Sequence, residues 1–349
     1  MRIYLSPTTI LAAGILAAML PLPAFAQYKA PAAPIQNSND PNYNHGKGGG
    51  IDSYSTPAVI RYVPSDRRVL GNTVQDRRID MFMGDWRESM PRIMHGSLVA
   101  RDILIHGDDF DPREKGAVLQ YLNFESYATL APGASTPLDH LTRQQEVYYV
   151  VGGTGTLLAG GALAQLHKDV AVLMPANLPF TFSNTGDDSL AMYVLNEPVP
   201  DGFKVNTRML VIDEREAHVR TAAANEPDPY ILPGASGHWA HVVRELFAKR
   251  DGLATLDSVL TVELKPMTMG EPHSHNPGQE EIWTQLYGTS LAFESWQLRI
   301  QNPGMAYLIR PDGISTHSNI NFGDTTIKFL YNVEGPPKNL YSEDGSSKP

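Results

Sequence analysis

The sequence of 349 residues contains no cysteine. Disulfides, thiol nucleophiles and zinc sites built on cysteine are therefore excluded. Basic residues are in the minority, with 28 Lys and Arg against 38 Asp and Glu, and they form no cluster. Because nucleic acids and anionic membranes are bound by clustered Lys and Arg, we expect neither as a partner. With 42% hydrophobic and 19% charged residues, the composition is typical of a globular protein with a substantial core.

Long apolar runs are also absent, except near the N-terminus. There, Arg2 precedes the apolar stretch "TTILAAGILAAMLPLP", and the small residues "AFA" end at Ala26. A basic start, an apolar core and small residues in this order predict a secretory signal peptide over residues 1–26. Two prolines interrupt the apolar stretch, which makes a transmembrane anchor the weaker interpretation. We therefore expect a periplasmic or secreted protein with no membrane anchor after cleavage.

Short runs of β-branched, aromatic and aliphatic residues recur from about residue 95, separated by Gly, Pro, Asn and Asp. Examples are "EVYYVVGG", "SLAMYVLN" and "TTIKFLYNV". This spacing predicts an all-β fold of the sandwich or barrel type. The expected organisation after the signal peptide is a flexible lead-in and N-terminal extension over 27–94, β-domains over 95–200 and 246–335, a linker over 201–245 and a loose tail over 336–349.

The two β-rich regions repeat each other. The segment "PLDHLTRQQEVYYVVGGT" from Pro137 aligns with "PHSHNPGQEEIWTQLYGT" from Pro272, and "PANLPFTFSN" aligns further on with "PDGISTHSNIN". We interpret the chain as two copies of one β-domain. The aligned pairs are Leu138 with His273, His140 with His275, Glu146 with Glu281, Gly153 with Gly288, and Phe180 with His317.

The second copy carries three histidines and a glutamate in a pattern typical of metal ligands. His273 and His275 are two residues apart, so an extended chain points both imidazoles to the same face. Glu281 opens the next strand, and His317 follows on a later one. Glu280 faces away if Glu281 faces the histidines; the strand register decides between the two, and the motif spacing favours Glu281. Three imidazoles and one carboxylate suit one divalent ion of Mn, Fe, Ni, Cu or Zn.

These residues resemble the two motifs of the cupin superfamily. The resemblance covers about residues 95–335 and implies a bicupin with a double-stranded β-helix, or jelly-roll barrel, in each half. The gaps from His275 to Glu281 and from Gly313 to His317 are each one residue longer than the family pattern, and both fall in expected loops. The motif residues are His273, His275, Glu281 and Gly288, then Pro311, Gly313, His317 and Asn321.

The first copy lacks two of the four ligands. Leu138 and Phe180 stand at two of the ligand positions, and only His140 and Glu146 remain. We expect this half to be structural and to pack against its twin. The other histidines, His241 among them, have no ligand-like neighbours in the sequence and are expected at surface or loop positions.

The resemblance implies a range of activities, because cupins include dioxygenases, decarboxylases, isomerases, lyases, hydrolases and non-catalytic binding proteins. Three neutral imidazoles and one carboxylate leave a net charge of about +1 around a divalent ion, which favours a small anionic or chelating substrate. We expect an exported metal-dependent enzyme of oxidative, dioxygenase-like type. The alternatives are a non-redox lyase, isomerase or decarboxylase acting on a sugar acid or other small acid, and a non-catalytic ligand-binding bicupin.

Three residues of the second copy are assigned roles beyond the metal ligand set. Glu281 is the candidate to accept a proton during the reaction. Trp283 and Gln285 alternate with Glu281 on the same face of the strand, so we expect them to line the substrate pocket. Because cupins often pair through exposed sheet edges, a homo-oligomer is compatible with the resemblance.

Overall fold

The computed structural model describes residues 79–220 and 241–334, except residues 271, 276, 277, 296 and 314. The expected signal peptide, the expected lead-in as far as residue 78 and the expected tail lie outside the described residues. The described residues form β-strands and short 3-10 helices, with no α-helix among them, so the prediction of an all-β fold is confirmed. No helix in these ranges is long and apolar enough to cross a membrane. The 3-10 helices are Ile79–Phe82, Trp86–Glu88, Glu214–Glu216 and Lys249–Asp251.

The strands are numbered in chain order. Those up to the gap at residue 221 are β1 (Met83–Asp85), β2 (Arg92–Met94), β3 (Leu98–His106), β4 (Ala117–Leu119), β5 (Phe124–Leu130), β6 (Gln144–Gly152), β7 (Thr154–Ala159), β8 (Ala162–His167), β9 (Val170–Met174), β10 (Phe180–Asn184), β11 (Leu190–Pro198), β12 (Leu210–Asp213) and β13 (His218–Arg220). Those after residue 240 are β14 (His241–Ala248), β15 (Leu256–Leu264), β16 (Thr268–Met269), β17 (Glu280–Tyr287), β18 (Ser290–Glu294), β19 (Gln297–Gln301), β20 (Met305–Ile309), β21 (His317–Asn321) and β22 (Ile327–Glu334).

Each half consists of a large and a small sheet that form one jelly-roll barrel. In the first half the large sheet has the order β12-β9-β6-β11-β5-β3-β2, with β4 beside β3, and the small sheet has the order β10-β7-β8. In the second half the large sheet has the order β1-β20-β17-β22-β15-β14-β13, and the small sheet has the order β16-β21-β18-β19. The pairing is antiparallel except between β3 and β4. The two halves therefore share one architecture, as the internal repeat predicts.

Side-chain alternation divides the core into three hydrophobic clusters. One fills the first barrel and includes Tyr148, and one fills the second barrel and includes Trp283. The third lies between the barrels and contains residues of both halves, among them Tyr149 and Ile282. Because successive side chains of a strand point to opposite faces, the side chains on one face of β6 and of β17 pack into their own barrel. Those on the other face pack into the interface between the barrels.

Each large sheet is extended by a short strand from the segment that precedes the other half. Strand β1, within the N-terminal extension, pairs with β20 of the second barrel, and β12 pairs with β9 of the first. The segment over 201–245, expected as a linker, thus contributes β12, β13 and the start of β14 to the sheets. These short strands are ordered because pairing with a sheet edge satisfies backbone N–H and C=O groups.

Where the large sheets meet, the two halves differ in one buried cross-strand pair. In the first half Gln145 Nε2 donates to Glu197 Oε1 at 2.6 Å. In the second half the corresponding partners are two acids, Glu280 and Glu334, and both are fully buried. Burial, reinforced by the charge of other acids, raises the pKa of Glu280 to about 8 and the pKa of Glu334 well above its usual range. The second half therefore holds this pair in a protonated state where the first half uses an amide.

These raised pKa values make the stability of the protein dependent on pH. The folded state binds more protons than the unfolded state, so stability falls as the pH rises from about 5 to about 8. Glu334→Gln supplies an amide, as in the first half. It should reduce the slope of the free energy of unfolding against pH by up to about 1.4 kcal/mol per pH unit. The free energy of unfolding, measured by denaturant titration across this pH range, tests this. The matched control, Gln145→Glu, should steepen the slope, and an unchanged slope in Glu334→Gln would contradict the assignment.

Candidate metal centre

Backbone pairing brings the two motifs of the second half together. His273 N donates to His317 O at 3.1 Å, and His317 N donates to His273 O at 2.8 Å, which makes the two residues an isolated antiparallel bridge. Side chains directly opposite each other in such a pair lie on the same face. The first histidine precedes β17 and the second opens β21, so residues distant in the sequence are held side by side.

His275 completes a cluster of three imidazoles. One ring nitrogen from each of His273, His275 and His317 can be chosen so that all three lie within 4.8 Å of one another. The ring centroids are 4.4 Å apart for His273 and His317, 4.8 Å for His275 and His317 and 5.0 Å for His273 and His275. His273 and His317 are buried, and the His275 side chain is 10% exposed. The cluster is thus nearly closed to solvent.

Glu281 faces this cluster from β17. Its Oε2 lies 2.5 Å from His275 Nε2, and its Oε1 lies 3.1 Å from His317 Nε2. The Trp283 indole N–H donates to Oε1, and the Tyr331 hydroxyl donates to Oε2 at 2.9 Å. The carboxylate is fully buried. Its orientation is therefore fixed by two donors that leave its open side towards the imidazoles.

The electrostatics of the cluster favour an ionised carboxylate. Burial alone would raise the pKa of Glu281, but the imidazoles of His275 and His317 outweigh burial and hold the pKa well below its usual range. Burial lowers the pKa of His317, although the neighbouring carboxylate opposes this effect. A carboxylate and neutral imidazoles are the protonation states in which these side chains bind metals.

The donor set fits a divalent first-row metal. Nε2 of His275 and Nε2 of His317 are buried and approach the carboxylate without hydrogen-bond geometry. Buried polar atoms are normally hydrogen-bonded, so ring nitrogens in this situation suit a bound cation. Imidazole nitrogens together with one carboxylate oxygen are compatible with Mn, Fe, Ni, Cu or Zn.

Alternation along β17 places the two neighbouring glutamates on opposite sides of the sheet. Glu281 and Trp283 point into the second barrel. Glu280 points to the interface between the barrels, where its Oε1 accepts a hydrogen bond from Gln120 N at 2.9 Å. The carboxylate beside the imidazoles is therefore that of Glu281.

The structure separates the two predicted pocket residues. Trp283 lies against the cluster through its hydrogen bond to Glu281. Gln285 is fully buried further along β17, where its Nε2 donates to Tyr287 O at 2.8 Å and its Oε1 accepts from Ser290 Oγ at 2.7 Å. These bonds engage its polar atoms at the turn into β18. Substrate contact by Trp283 or Gln285 stays a prediction.

One residue beside the site contradicts the sequence-based expectation. His241, expected at a surface or loop position, is 3% exposed, and its ring centroid lies 5.4 Å from that of Trp283. It opens β14, so its side chain shares the inward face with Val243, which packs on the core of the second barrel. The alternation of His241 with Val243 on β14 could have predicted the burial of His241. The sequence, however, shows no neighbouring residue that would act as its partner.

A second buried glutamate lies on the strand that pairs with His317. Glu294 on β18 is the cross-strand partner of His317 and is 1% exposed. Arg310 Nε lies 3.2 Å from Glu294 Oε1. Burial raises the pKa of Glu294, and the Arg310 guanidinium opposes this rise. No motif spacing marks Glu294, because its position depends on the pairing of β18 with β21.

The first half aligns with the second differently from the sequence-based expectation. The bridge that corresponds to the pair of His273 and His317 joins Asp139 to Phe180. Asp139, and not Leu138, therefore holds the position of His273.

Two side chains of the first half confirm this shift. Leu138 is 74% exposed, and His140 is exposed as well, so neither points into the barrel. The loop before Glu146 is one residue shorter than the loop before Glu281, which is why a constant offset misaligns the residues ahead of it.

The geometry agrees with the comparisons with known proteins. Residues 126–196 match the Cupin domain family. No curated protein matches the chain. Together with the shared fold of the two halves, this match supports a bicupin, a chain with two cupin barrels, with the candidate metal ligands in the second barrel.

Three solved structures show the similarity of fold. A protein of Pseudomonas aeruginosa, provisionally described as glyoxylate-induced, has a TM-score of 0.54 and 13% identity, covering 70% of this chain and 83% of that chain. The oxalate decarboxylase of Bacillus subtilis, known for its Mn(II) centres, has a TM-score of 0.52 and 12% identity, covering 73% and 77%. AerE from Microcystis aeruginosa has a TM-score of 0.52 and 12% identity, covering 74% and 100%. At these identities the likeness is one of fold alone.

The hydrogen bond from Trp283 to Glu281 should tune metal affinity. Trp283→Phe keeps an aromatic ring and removes the N–H donor, so we expect metal binding about 10- to 100-fold weaker, as is usual when a ligand loses its orienting partner. Competition with a chelator measures the affinity. The matched control is Tyr148→Phe, which removes the corresponding donor to Glu146 in the first half. Equal losses in both variants would contradict a specific role for Trp283.

Proposed function

We propose that the chain is an exported metal-dependent enzyme whose second barrel acts oxidatively, in the manner of a dioxygenase, on a small anionic or chelating substrate. The observation that supports this best is the convergence of three imidazoles and one carboxylate at a buried point of that barrel. His273, His275, Glu281 and His317 would hold one divalent transition metal.

The charge of this site supports an anionic or chelating substrate. Neutral imidazoles and one carboxylate contribute a single negative charge, which leaves a divalent ion with a net charge of about +1. Such an ion, when bound, supplies a Lewis acid, a template for the substrate and, for Mn, Fe or Cu, a redox centre. Burial of the ligands excludes water and strengthens the attraction for an anion.

The residues around the ligands have separate tasks in this proposal. Trp283 and Tyr331 hold the Glu281 carboxylate in one orientation through their hydrogen bonds. Glu281 is the proposed acceptor of a substrate proton, since its carboxylate is fixed beside the imidazoles. The aromatic rings of Trp283 and Tyr307 lie among the buried residues of this barrel, and Trp283 is the proposed contact for the substrate.

One observation favours the alternative, a non-redox lyase, isomerase or decarboxylase on a small acid. Glu294 is a second buried carboxylate opposite His317. A reaction of this kind needs an acid or base separate from the metal ligands, and Glu294 has the position for it. A bicupin that binds its ligand without turnover is the third candidate.

Export is part of the proposal and is supported by the sequence of residues 1–26 alone. If the segment is a signal peptide, the N-terminus of the mature protein is Gln27. N-terminal sequencing of protein secreted by its host checks this directly, and a retained Met1 would contradict it.

Elemental analysis of the mature protein is the first test of the metal site. We expect about one equivalent of a transition metal per chain, lost in the double variant His273→Ala with His275→Ala, because removing two ligands abolishes the site. The matched control is His140→Ala, which removes an exposed histidine of the first half and should retain the metal. A wild-type protein that takes up no metal after incubation with each candidate ion would overturn the proposal.

Oxygen consumption then separates the reaction types. The metal-loaded protein should consume oxygen with catecholate, enolate or related chelating substrates, and the double variant should not. A product formed without oxygen uptake, and reduced by Glu294→Gln, would support the non-redox alternative. Saturable binding without any product would leave the ligand-binding bicupin.

A further inference from the structure

The first barrel is not an empty counterpart of the second, because a histidine from outside the aligned sequence motifs enters it. His95 lies in the turn between β2 and β3, and its side chain is 6% exposed. Its Nδ1 lies 2.7 Å from Asp139 Oδ2, and its Nε2 lies 2.9 Å from Glu146 Oε2. Its ring packs edge to face on Phe180, with centroids 4.9 Å apart.

The residues that His95 touches are the counterparts of metal ligands in the second barrel. Asp139 corresponds to His273 and Phe180 to His317 through the equivalent backbone bridges, and Glu146 corresponds to Glu281 through the repeat. The imidazole of His95 thus occupies in the first barrel the place that the ligands surround in the second. The Tyr148 hydroxyl also lies 3.2 Å from His95 Nε2.

The hydrogen bonds decide the charge of this ring. A neutral imidazole carries one N–H, and its other nitrogen is an acceptor. Both ring nitrogens of His95 face carboxylate oxygens, which cannot donate when ionised. Two N–H donors are therefore required, which makes the ring an imidazolium. In agreement, the pKa of His95 is raised, since the two carboxylates outweigh the effect of burial, and the pKa of Asp139 is lowered although burial opposes this.

The backbone holds the ring in place. His95 and Gly96 have φ of 49° and 75°, so both are left-handed, a conformation that is uncommon for a residue with a side chain. A Cβ on Gly96 would lie 2.5 Å from Pro137 Cγ, so the turn sits tightly on the loop that carries Asp139. The hairpin and the barrel are packed as one unit.

We propose that the first barrel retains a cation-binding site and that the chain fills it with its own cation, the imidazolium of His95. The β2–β3 hairpin delivers this group to the carboxylates of Asp139 and Glu146 and so closes the barrel to a metal. If the side chain of His95 is removed, the site should accept an organic cation of the size and shape of imidazolium.

His95→Gly tests the proposal with little disturbance of the backbone, because glycine adopts the left-handed conformation without strain. We expect the variant to have a lower Tm than the wild type. Imidazole at a pH of about 6, where most of it is protonated, should raise that Tm in a saturable way. The wild type, treated with chelator like the variant, has the same second barrel and should show no comparable rise.

Two controls distinguish a cation site from a cavity. Pyrazole has the shape of imidazole but stays neutral, so it should not raise the Tm of His95→Gly. The double variant His95→Gly with Glu146→Gln lacks one carboxylate and should lose most of the response to imidazole. Equal stabilisation by pyrazole and imidazole, or no stabilisation by either, would overturn the proposal.

A measurement on the wild type covers the case in which the variant does not fold. The ¹⁵N chemical shifts of the His95 ring should show both nitrogens protonated at pH 7 and should titrate only above the ordinary pKa of histidine. The groups that face the ring are Asp139 from the loop, Glu146 and Tyr148 from β6 and the uncharged Phe180 from β10. A neutral ring with a single protonated nitrogen at pH 7 would overturn the proposal.

Discussion

Strand β17 is buried on both faces, and its consecutive side chains are therefore directed to opposite sides of the sheet. Glu281 and Trp283 enter the barrel, whereas Glu280 and Ile282 enter the interface with the first half. A shift of the pairing with β22 by one residue would exchange the two sets and remove the carboxylate from the imidazoles. The candidate metal ligands thus depend on the same register that joins the barrels.

The fold and the ligand set of the second half follow from short-range patterns. Strand periodicity predicts the all-β architecture, and two histidines two residues apart followed by a glutamate predict a shared face. The bridge between His273 and His317 brings the two motifs side by side. These features depend on residues that are neighbours in sequence or that belong to a recognisable motif.

Other features depend on contacts that no local pattern encodes. The shorter loop before Glu146 shifts the register of the first half by one residue, so a constant offset pairs the wrong side chains. His95 reaches its site from a hairpin that lies outside the aligned sequence motifs, and Glu294 is placed opposite His317 only through the pairing of β18 with β21. Strands β1 and β12 are too short for their alternation to be recognised, and their partners lie in the other half.

The two barrels meet the same electrostatic demand in different ways. Each buries a glutamate at the equivalent position of β6 or β17, and a buried carboxylate is costly unless a cation or several donors compensate for it. In the first half Asn196 and Tyr148 donate to Glu146 and His95 provides the charge. In the second half Trp283 and Tyr331 donate hydrogen bonds to Glu281. There, three imidazoles are placed to bind a metal cation that would provide the positive charge. Phe180 stands in the first half where the second half has His317, and the first half meets the charge of Glu146 with the chain's own imidazolium.

The pairing of β1 with β20 has a consequence for the order in which the chain folds. Strand β1 is made before any strand of the first barrel, yet its partner is made after most of the second. The loop that this pairing closes is among the longest in the protein. Contacts of such sequence separation form slowly, because the chain loses the entropy of loop closure before the contact energy is gained. The second barrel therefore completes its edge with residues that are synthesised before the first barrel, and this strand pair ties the N-terminal extension to the second barrel.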